Sequence, residues 1–403
     1  MADPQESVLD GSTQAASRPP ASNNHHPNPQ DTHPSTIATT NPDIPALLAS
    51  WKLTPSQHEH ILHTQILPRE LYPFLPSRSP SQPQTQRRRR PLAILILGQT
   101  GAGKTRLAPL LLNTLQRHQQ QQDNPTQPAV VHLIADTYKT YHPHYHTCLA
   151  ALPGPHASRL AGADAAAWLR GVCAHAARAG ADVLVESACR RSGEFERLVG
   201  VFANQAGSGS GNGNGNGNGN GEGDGDGGGG GYDVRVAVLA VPEGLSRLGV
   251  LARYHRRLPE AGSRGLPVRL TPRAVHDESY RGLAEAVGWV DRGEEVGRVV
   301  VVRRNGLVVY ANERGEGGQW RDKAGALEAL ELERARGLSV EEKKAAEEDL
   351  DMLRAIGDPK IDREVEEIEK LMAGLGTGFD RVFPDLKPLD VQDFVSTRVE
   401  DGS

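Results

Sequence analysis

The chain has 403 residues, enough for one large or two medium domains, and its net charge of −5 argues against a general nucleic-acid coat protein. Its three cysteines, Cys148, Cys173 and Cys189, form no C-x-x-C pair, and their odd number predicts free thiols in a reducing compartment. No basic-then-apolar leader and no apolar run near the roughly 18 residues of a membrane span is found, so we expect a soluble, cytoplasmic protein.

Residues 1–43 are rich in Pro, Ser, Thr, Asn, Gln and His and nearly lack large apolar side chains. Such a segment buries too little surface to offset its ordering entropy, so we predict a disordered tail. The histidines His25, His26 and His33 are compatible with a metal site, but they are more typical of a polar tail.

Residues 44–90 read as a helical lead-in followed by a linker. Thr54 and Gln57 fit a capping box, and an apolar stripe then runs to Pro68, so we predict a helix that packs on the main domain. A polar, proline-rich linker leads to four arginines, from Arg87 to Arg90. These arginines fit a solvated charge run, with a nuclear-import signal or an anion patch as the alternative.

An apolar run of strand length, residues 92–97, leads into a glycine loop and then into leucines at helical spacing. The loop fits G-x-x-x-x-G-K-[ST] and consists of Gly98, Gln99, Thr100, Gly101, Ala102, Gly103, Lys104 and Thr105. Glycines let backbone N–H groups surround an anion, and the helix N-terminus adds positive charge. We therefore predict a nucleoside triphosphate site in which Lys104 reaches the β- and γ-phosphates and the Thr105 hydroxyl binds Mg²⁺.

Two acidic residues follow two further predicted strands, residues 130–134 and 183–185. Ligands of open α/β sheets bind at the carboxyl ends of the strands, so Asp136 is a candidate general base, with a helix N-cap as the equal alternative. Glu186 is a candidate Mg²⁺ partner or substrate ligand, and an ion pair with a neighbouring arginine, Arg190 or Arg191, is the alternative.

Residues 164–178 predict an alanine-rich helix, and residues 207–231 are almost wholly glycine and small polar residues, which predicts a flexible insertion. A buried strand is expected at residues 232–241. The segment after it is basic, with Arg247, Arg253, His255, Arg256, Arg257, Arg264, Arg269 and Arg273. These cations suit transferring phosphates, and a nucleic-acid patch is the rival interpretation, which poor aromatic interleaving disfavours.

The remaining pattern predicts a helix from residue 271 to about 289, a β-hairpin across Asn305-Gly306, and a helical C-terminal extension over residues 321–382. Ser339 and Glu342 fit a second capping box in that extension, which we expect to pack on the domain or on a partner. Residues 383–403 are expected to be loosely ordered.

Six motifs occur in one order and together resemble the zeta toxin family of P-loop kinases: GQTGAGKT, ADTYKTYHP, LVESACR, LARYHRR, VRLTPRAVHD and NGLVVYANE. The likeness covers roughly residues 92–312 and places a kinase domain at residues 91–320. It implies an α/β fold of three layers, the P-loop NTPase fold, with a mainly parallel sheet. It also implies an ATP-dependent, Mg²⁺-assisted kinase acting on the 3′-hydroxyl of UDP-N-acetylglucosamine or a related nucleotide sugar.

The resemblance assigns roles residue by residue. It makes Asp136 the general base and keeps Lys104 and Thr105 at the phosphates. It gives Arg253 and Arg269 to the phosphates, and it gives Glu186, Arg190 and His142 to the substrate. Ser187 and Ala188 depart from the small residue and threonine that often follow the family's glutamate, so the acceptor stays open. An ATP-binding switch or scaffold and a polynucleotide-end kinase remain as alternatives. Whether an antitoxin-like inhibitor protein exists stays open, since none is encoded in this chain.

Overall fold

The computed structural model describes residues 44–75, 90–120, 129–152, 156–203, 231–264, 270–376 and 386–396. The predicted tail, Arg87 to Arg89, most of the glycine-rich insertion and Arg269 lie outside the described residues. From Pro45 onward the chain forms one compact unit.

A six-stranded sheet forms the centre of this unit, with strand order β2-β3-β1-β4-β5-β6. Strands β1 to β5 pair in parallel, and β6 returns antiparallel beside β5. The bounds are β1 Leu92–Leu97, β2 Val131–Ile134, β3 Val183–Ser187, β4 Asp233–Leu239, β5 Arg298–Val302 and β6 Val308–Glu313. The predicted α/β fold with a mainly parallel sheet is confirmed, as is the Asn-Gly hairpin.

The helices are α1 Ile44–Ser50, α2 Pro55–Ile61, α3 Leu67–Glu70, α4 Lys104–Gln120, α5 Ala135–Tyr138, α6 Tyr145–Ala151, α7 His156–Ala179, α8 Ser192–Ala203, α9 Glu243–Arg264, α10 Arg273–Arg292, α11 Ala326–Ala335, α12 Val340–Arg354, α13 Pro359–Ala373 and α14 Val391–Val395. Helix α7 begins eight residues before the predicted start at residue 164. The pattern missed this first part because it lies before the alanine-rich stretch on which the prediction depended.

The lead-in begins at the predicted capping box, where the Thr54 hydroxyl accepts the Gln57 N–H. The predicted apolar stripe ended at Pro68, but the helical segment continues past this residue. A π-helical turn, Leu62–Ile66, joins α2 to α3, and Pro68 lies in the first turn of α3, where a missing N–H is tolerated. The buried side chain of Leu62 lies against Gly171 of α7, so the lead-in is part of the core, as expected.

Side chains alternate across β1 and separate two apolar cores, which gives the three layers. Ala93, Leu95 and Leu97 face the core that includes α7, α8, α10 and α11. Leu92, Ile94 and Ile96 face the core that includes α4, α9 and the helices α12 to α14. The C-terminal helices therefore pack on the domain, the first of the two alternatives expected for the extension, and belong to one of its cores.

The expectation of loose order after residue 383 is wrong for residues 386–396. Phe394 of α14 is fully buried, and its carbonyl accepts a hydrogen bond from the buried Arg235 of β4. The backbone carbonyl of Lys387 accepts a hydrogen bond from the backbone N–H of Val308, which extends the pairing at the hairpin. Such long-range contacts are invisible in a short polar segment, because their partners lie far away in the chain.

Candidate active site

The glycine loop connects β1 to α4 in the conformation that an anion site requires. Gly101 and Gly103 have φ of +82° and +99°, which L-residues rarely adopt. A Cβ on Gly101 would lie 2.0 Å from the carbonyl oxygen of Ser246. Within the described residues, the backbone N–H groups of Gly101, Gly103, Lys104 and Thr105 donate no hydrogen bond to a backbone carbonyl. Four unused donors at a helix N-terminus form a cradle for a phosphate.

Partly buried contacts from α10 and from the segment after β5 hold this loop. The Thr100 N–H donates to Oγ of Ser279 on α10, at 3.1 Å. Arg304, which follows β5, donates from Nη2 to the Gly101 carbonyl at 2.5 Å and from Nε to the Ala102 carbonyl at 3.4 Å. Backbone carbonyls of the loop are thereby paired, while the N–H groups named above stay available.

Lys104 is the loop residue that interacts electrostatically with the other candidate residues. Its ammonium donates to the carbonyls of Gly98 and Gln99, at 2.6 and 3.4 Å. Burial lowers the pKa of Lys104 below its ordinary value. Four side chains lie close enough to act on that pKa: Glu186, Cys189 and Asp136, which raise it, and Arg253, which lowers it. Residues far apart in the sequence thus lie within electrostatic range of one ammonium group.

Asp136 lies in the first turn of α5, with its side chain 79% exposed. Its Oδ1 pairs with the ammonium of Lys139, one turn later, at 2.5 Å. The N-cap of α5 is Ile134, and no side chain caps this helix, so the capping interpretation of Asp136 is wrong. An exposed carboxylate near Lys104 has access to an incoming hydroxyl group.

Glu186 lies in β3 with its side chain almost fully buried, and its Oε1 lies 3.0 Å from Nε2 of His132 on the neighbouring β2. The alternative interpretation of Glu186, an ion pair with Arg190 or Arg191, is wrong. Arg190 binds Glu278 of α10 through Nε and Nη2, at 3.1 and 2.6 Å, and Arg191 lies 3.7 Å from Glu194. Sequence reasoning missed His132. A polar side chain inside an otherwise apolar strand was the signal that could have revealed it.

Cys189 is a further residue of the site that sequence reasoning did not select. Its φ of +48° is the one positive value for a non-glycine residue in the described part of the chain. Burial raises the pKa of its thiol to about 11, and the Ser187 hydroxyl and Lys104 oppose this rise. Gly282 of α10 permits the close approach, since a Cβ there would lie 2.2 Å from the Cys189 carbonyl.

The remaining predicted residues differ in accessibility. Arg253 is exposed on α9, within electrostatic range of Lys104. His142 has no exposed side-chain surface, and its Nε2 lies 3.7 Å from Asp164 of α7, which counts against direct contact with a substrate. Its burial suits it to hold the loop after α5 against α7.

The basic face of α9, the rival nucleic-acid patch, is partly covered by acidic side chains of the C-terminal helices. Glu367 of α13 binds Arg247 of α9 at 3.2 Å and also Arg273, the first residue of α10, at 2.5 Å. Asp349 of α12 pairs with Arg256 of α9. These contacts neutralise charges that a nucleic-acid backbone would need. Of the helices that the structure describes, none is sufficiently long and apolar for a membrane span.

Fold and site together define a P-loop protein with one acidic residue, Glu186, near the carboxyl end of β3, which pairs with β1, and a second, Asp136, just after β2, which pairs with β3. The model of the zeta toxin family matches residues 78–207 and 229–315, more than half of the chain. The chain therefore belongs to the zeta toxin family, as its motifs indicated, and has a P-loop kinase-like function.

Two solved structures are also similar. One comes from a study of the PezAT chromosomal toxin–antitoxin system of Streptococcus pneumoniae; it is 18% identical, covers 79% of this chain and 98% of its own, and has a TM-score of 0.48. The other, described as a putative kinase from Chloroflexus aurantiacus, is 16% identical, covers 47% of this chain and 78% of its own, and has a TM-score of 0.28. No curated protein matches the chain.

Proposed function

We propose that the protein is an ATP-dependent kinase that phosphorylates a hydroxyl group of a small molecule, with the 3′-hydroxyl of UDP-N-acetylglucosamine as the leading acceptor. The observation that carries this proposal is the pairing of β3 with β1 at the loop, where the Gly98 N–H donates to the Ser187 carbonyl, with Asp136, Glu186 and Arg253 within electrostatic range of Lys104. A phosphate-binding lysine beside an exposed carboxylate and a second cation is the arrangement that phosphoryl transfer needs.

The glycine loop suits the donor side of this reaction. The unpaired N–H groups of Gly101, Gly103, Lys104 and Thr105 would hold phosphate oxygens. Lys104 would exchange its two carbonyl acceptors for the β- and γ-phosphates. The Thr105 side chain is exposed at the start of α4, where its hydroxyl fits an Mg²⁺ ligand. When bound, Mg²⁺ neutralises charge that builds up on the phosphates.

Asp136 suits the acceptor side. In the proposed step, the acceptor oxygen forms a bond to the γ-phosphorus while the bond between that phosphorus and the β–γ bridging oxygen breaks, and ADP leaves. The proton of the acceptor hydroxyl passes to the Asp136 carboxylate. Lys139 holds that carboxylate in place, and Arg253 supplies positive charge near the transferring group. Arg269 would add a second cation.

Glu186 and Arg190 are proposed to contact the acceptor beyond its reacting hydroxyl. Both are oriented by neighbours, Glu186 by His132 and Arg190 by Glu278. Arg190 is partly exposed, whereas Glu186 exposes only 6% of its side chain, so Arg190 is the more accessible of the two. The Ser187-Ala188 departure lies directly beside them, and for this reason a panel of acceptors is needed rather than one compound.

The experiment is incubation of the full chain with ATP and Mg²⁺ and a panel of nucleotide sugars, with mass spectrometry to detect a product heavier by one phosphate. We expect a phosphorylated UDP-N-acetylamino sugar. Phosphate on another small-molecule hydroxyl would keep the kinase and correct the acceptor. ATP hydrolysis without any phosphorylated acceptor would contradict the kinase and favour the switch.

Asp136→Asn tests the proposed base. We expect it to lower turnover by about 10²–10⁴-fold and leave ATP affinity nearly unchanged, because general-base catalysis contributes that range. Asp351→Asn is a matched control, since Asp351 is also 79% exposed and also pairs with a basic residue three positions later, Arg354. Normal turnover by Asp136→Asn would exclude Asp136 as the base.

A further inference from the structure

Helix α11 lies beyond the residues that match the family model, yet it reaches the glycine loop. Two adjacent buried residues of this helix, Glu333 and Arg334, have different partners. Glu333 accepts hydrogen bonds from Arg303 and Arg336, which ties the helix to the β5–β6 hairpin. Arg334 instead donates from Nη2 to Oε1 of Gln99, at 3.2 Å.

Gln99 is the second residue of the glycine loop, and its side chain has no exposed surface. Its Nε2 donates to the carbonyl of Val241, just after β4, at 2.7 Å, so both polar atoms of the amide are bound. Its own carbonyl accepts the Ala102 N–H at 3.0 Å and the Lys104 ammonium at 3.4 Å. A shift of the Gln99 side chain would therefore also affect the Gln99 carbonyl, which is an acceptor for the ammonium of Lys104.

The burial of Arg334 is unfavourable for folding. Its guanidinium lies 3.7 Å from the ring centroid of Tyr280, and burial lowers the pKa of Arg334 to about 10, while Tyr280 and two glutamates, Glu331 and Glu243, raise it. Within the described residues, its Nε has no acceptor and no carboxylate lies at ion-pair distance. A buried cation with an unused donor costs stability, and such groups concentrate at functional sites.

We propose that Arg334 is a positioning residue of the nucleotide site, which holds Gln99 and, through it, the glycine loop in the geometry that binds phosphate. This inference rests on the proposed ATP site and extends that site to α11. Its consequence is that part of the C-terminal extension belongs to the kinase machinery rather than to a separate module.

The test is isothermal titration of the full chain with ATP·Mg²⁺. We expect Arg334→Met to bind ATP about tenfold more weakly than the wild type, the scale of one lost charge-assisted hydrogen bond. Arg235→Met is the control, because Arg235 is equally buried but binds Asp233 and two C-terminal carbonyls. The control should lower the melting temperature and keep the ATP affinity.

A double-mutant cycle separates positioning from general destabilisation. If Arg334 acts through Gln99, then Gln99→Met alone and Gln99→Met with Arg334→Met should lose affinity to the same extent. Equal affinity of Arg334→Met and the wild type, or additive losses in the cycle, would overturn the inference. Should Arg334→Met fail to fold, the same cycle is run with Arg334→Lys, for which we expect a smaller loss that also vanishes in the Gln99→Met background. Failure of the wild type to bind ATP would instead overturn the proposed function, and the inference with it.

Discussion

The two sides of the candidate site are held by different kinds of contact. On the donor side, the glycine loop is held by hydrogen bonds from three distant segments, made by Ser279, Arg304 and Arg334. On the acceptor side, the exposed Asp136 lies on a helix of four residues and pairs with Lys139 of the same segment. A change on the donor side should therefore affect stability and binding together, whereas a change at Asp136 should affect turnover alone.

The largest effect is expected for Gly101→Ala. The new Cβ would lie 2.0 Å from the Ser246 carbonyl oxygen, and the φ of Gly101 is +82°. We therefore expect the unfolding free energy to fall by about 3 kcal/mol or more and the affinity for ATP to fall as well. Gly306→Ala is the matched control, because its φ is +86° and a Cβ there meets no atom within 4 Å. It should cost about 1 kcal/mol and leave ATP binding intact. Denaturant unfolding measures the stability of the two variants, and ATP titration measures their affinity. Equal losses in Gly101→Ala and Gly306→Ala would mean that the contacts of the glycine loop do not couple stability to ATP binding.

An intermediate, pH-dependent effect on stability is expected at Glu342. This residue binds Arg336, which also binds Glu333, the neighbour of Arg334 on α11. Burial opposes its ionisation, but hydrogen bonds from Arg336 are strong enough to hold the pKa of Glu342 below its ordinary value of 4.5. A lowered folded-state pKa gives stability that is present above pH 4.5 and is lost as the pH falls through the folded-state pKa.

Glu342→Gln should therefore lower the unfolding free energy at pH 7 by about 1–3 kcal/mol, the cost of a broken buried hydrogen bond. The difference from the wild type should shrink below pH 4.5, as measured by denaturant unfolding at several pH values. A difference that stays constant with pH would mean that Arg336 does not depend on the Glu342 charge.

The smallest effect on stability is expected for Lys139→Met on the acceptor side. Met keeps most of the buried apolar stem, and the ion pair that it removes joins Lys139 to an exposed carboxylate, so the unfolding free energy should fall by about 1 kcal/mol or less. Turnover should fall more clearly, because Asp136 loses the group that orients it. Steady-state kinetics and thermal unfolding measure the two quantities, and a stability loss as large as that of Gly101→Ala would contradict the comparison.

Much of the fold was predictable because it depends on local sequence patterns. The apolar run before Gly98 predicted β1, the Thr54 and Ser339 boxes predicted helix starts, and Asn305-Gly306 predicted the hairpin. Each signal depends on residues within a few positions of one another, where backbone preference is decided. Glycine spacing likewise predicted a loop in which L-residues would be strained.

The chain's own pattern left the role of Asp136 open between base and cap, and missed His132, Cys189 and Arg334. Position in a sequence does not show which distant groups face a side chain, so these assignments needed the neighbours of Lys104 and Gln99. The basic face of α9 illustrates the same limit, since composition showed the arginines but not the acids of α12 and α13 that pair with them.

The sequence by itself determined the phosphate loop, the parallel strands and the family, because those features depend on residue type and short spacing. Tertiary structure decided which carboxylates and cations surround Lys104, and that the C-terminal helices complete a core. The physical reason is that burial and pairing depend on long-range approach: Gln99 and Arg334 are 235 positions apart in the chain, and only folding brings them into hydrogen-bond contact.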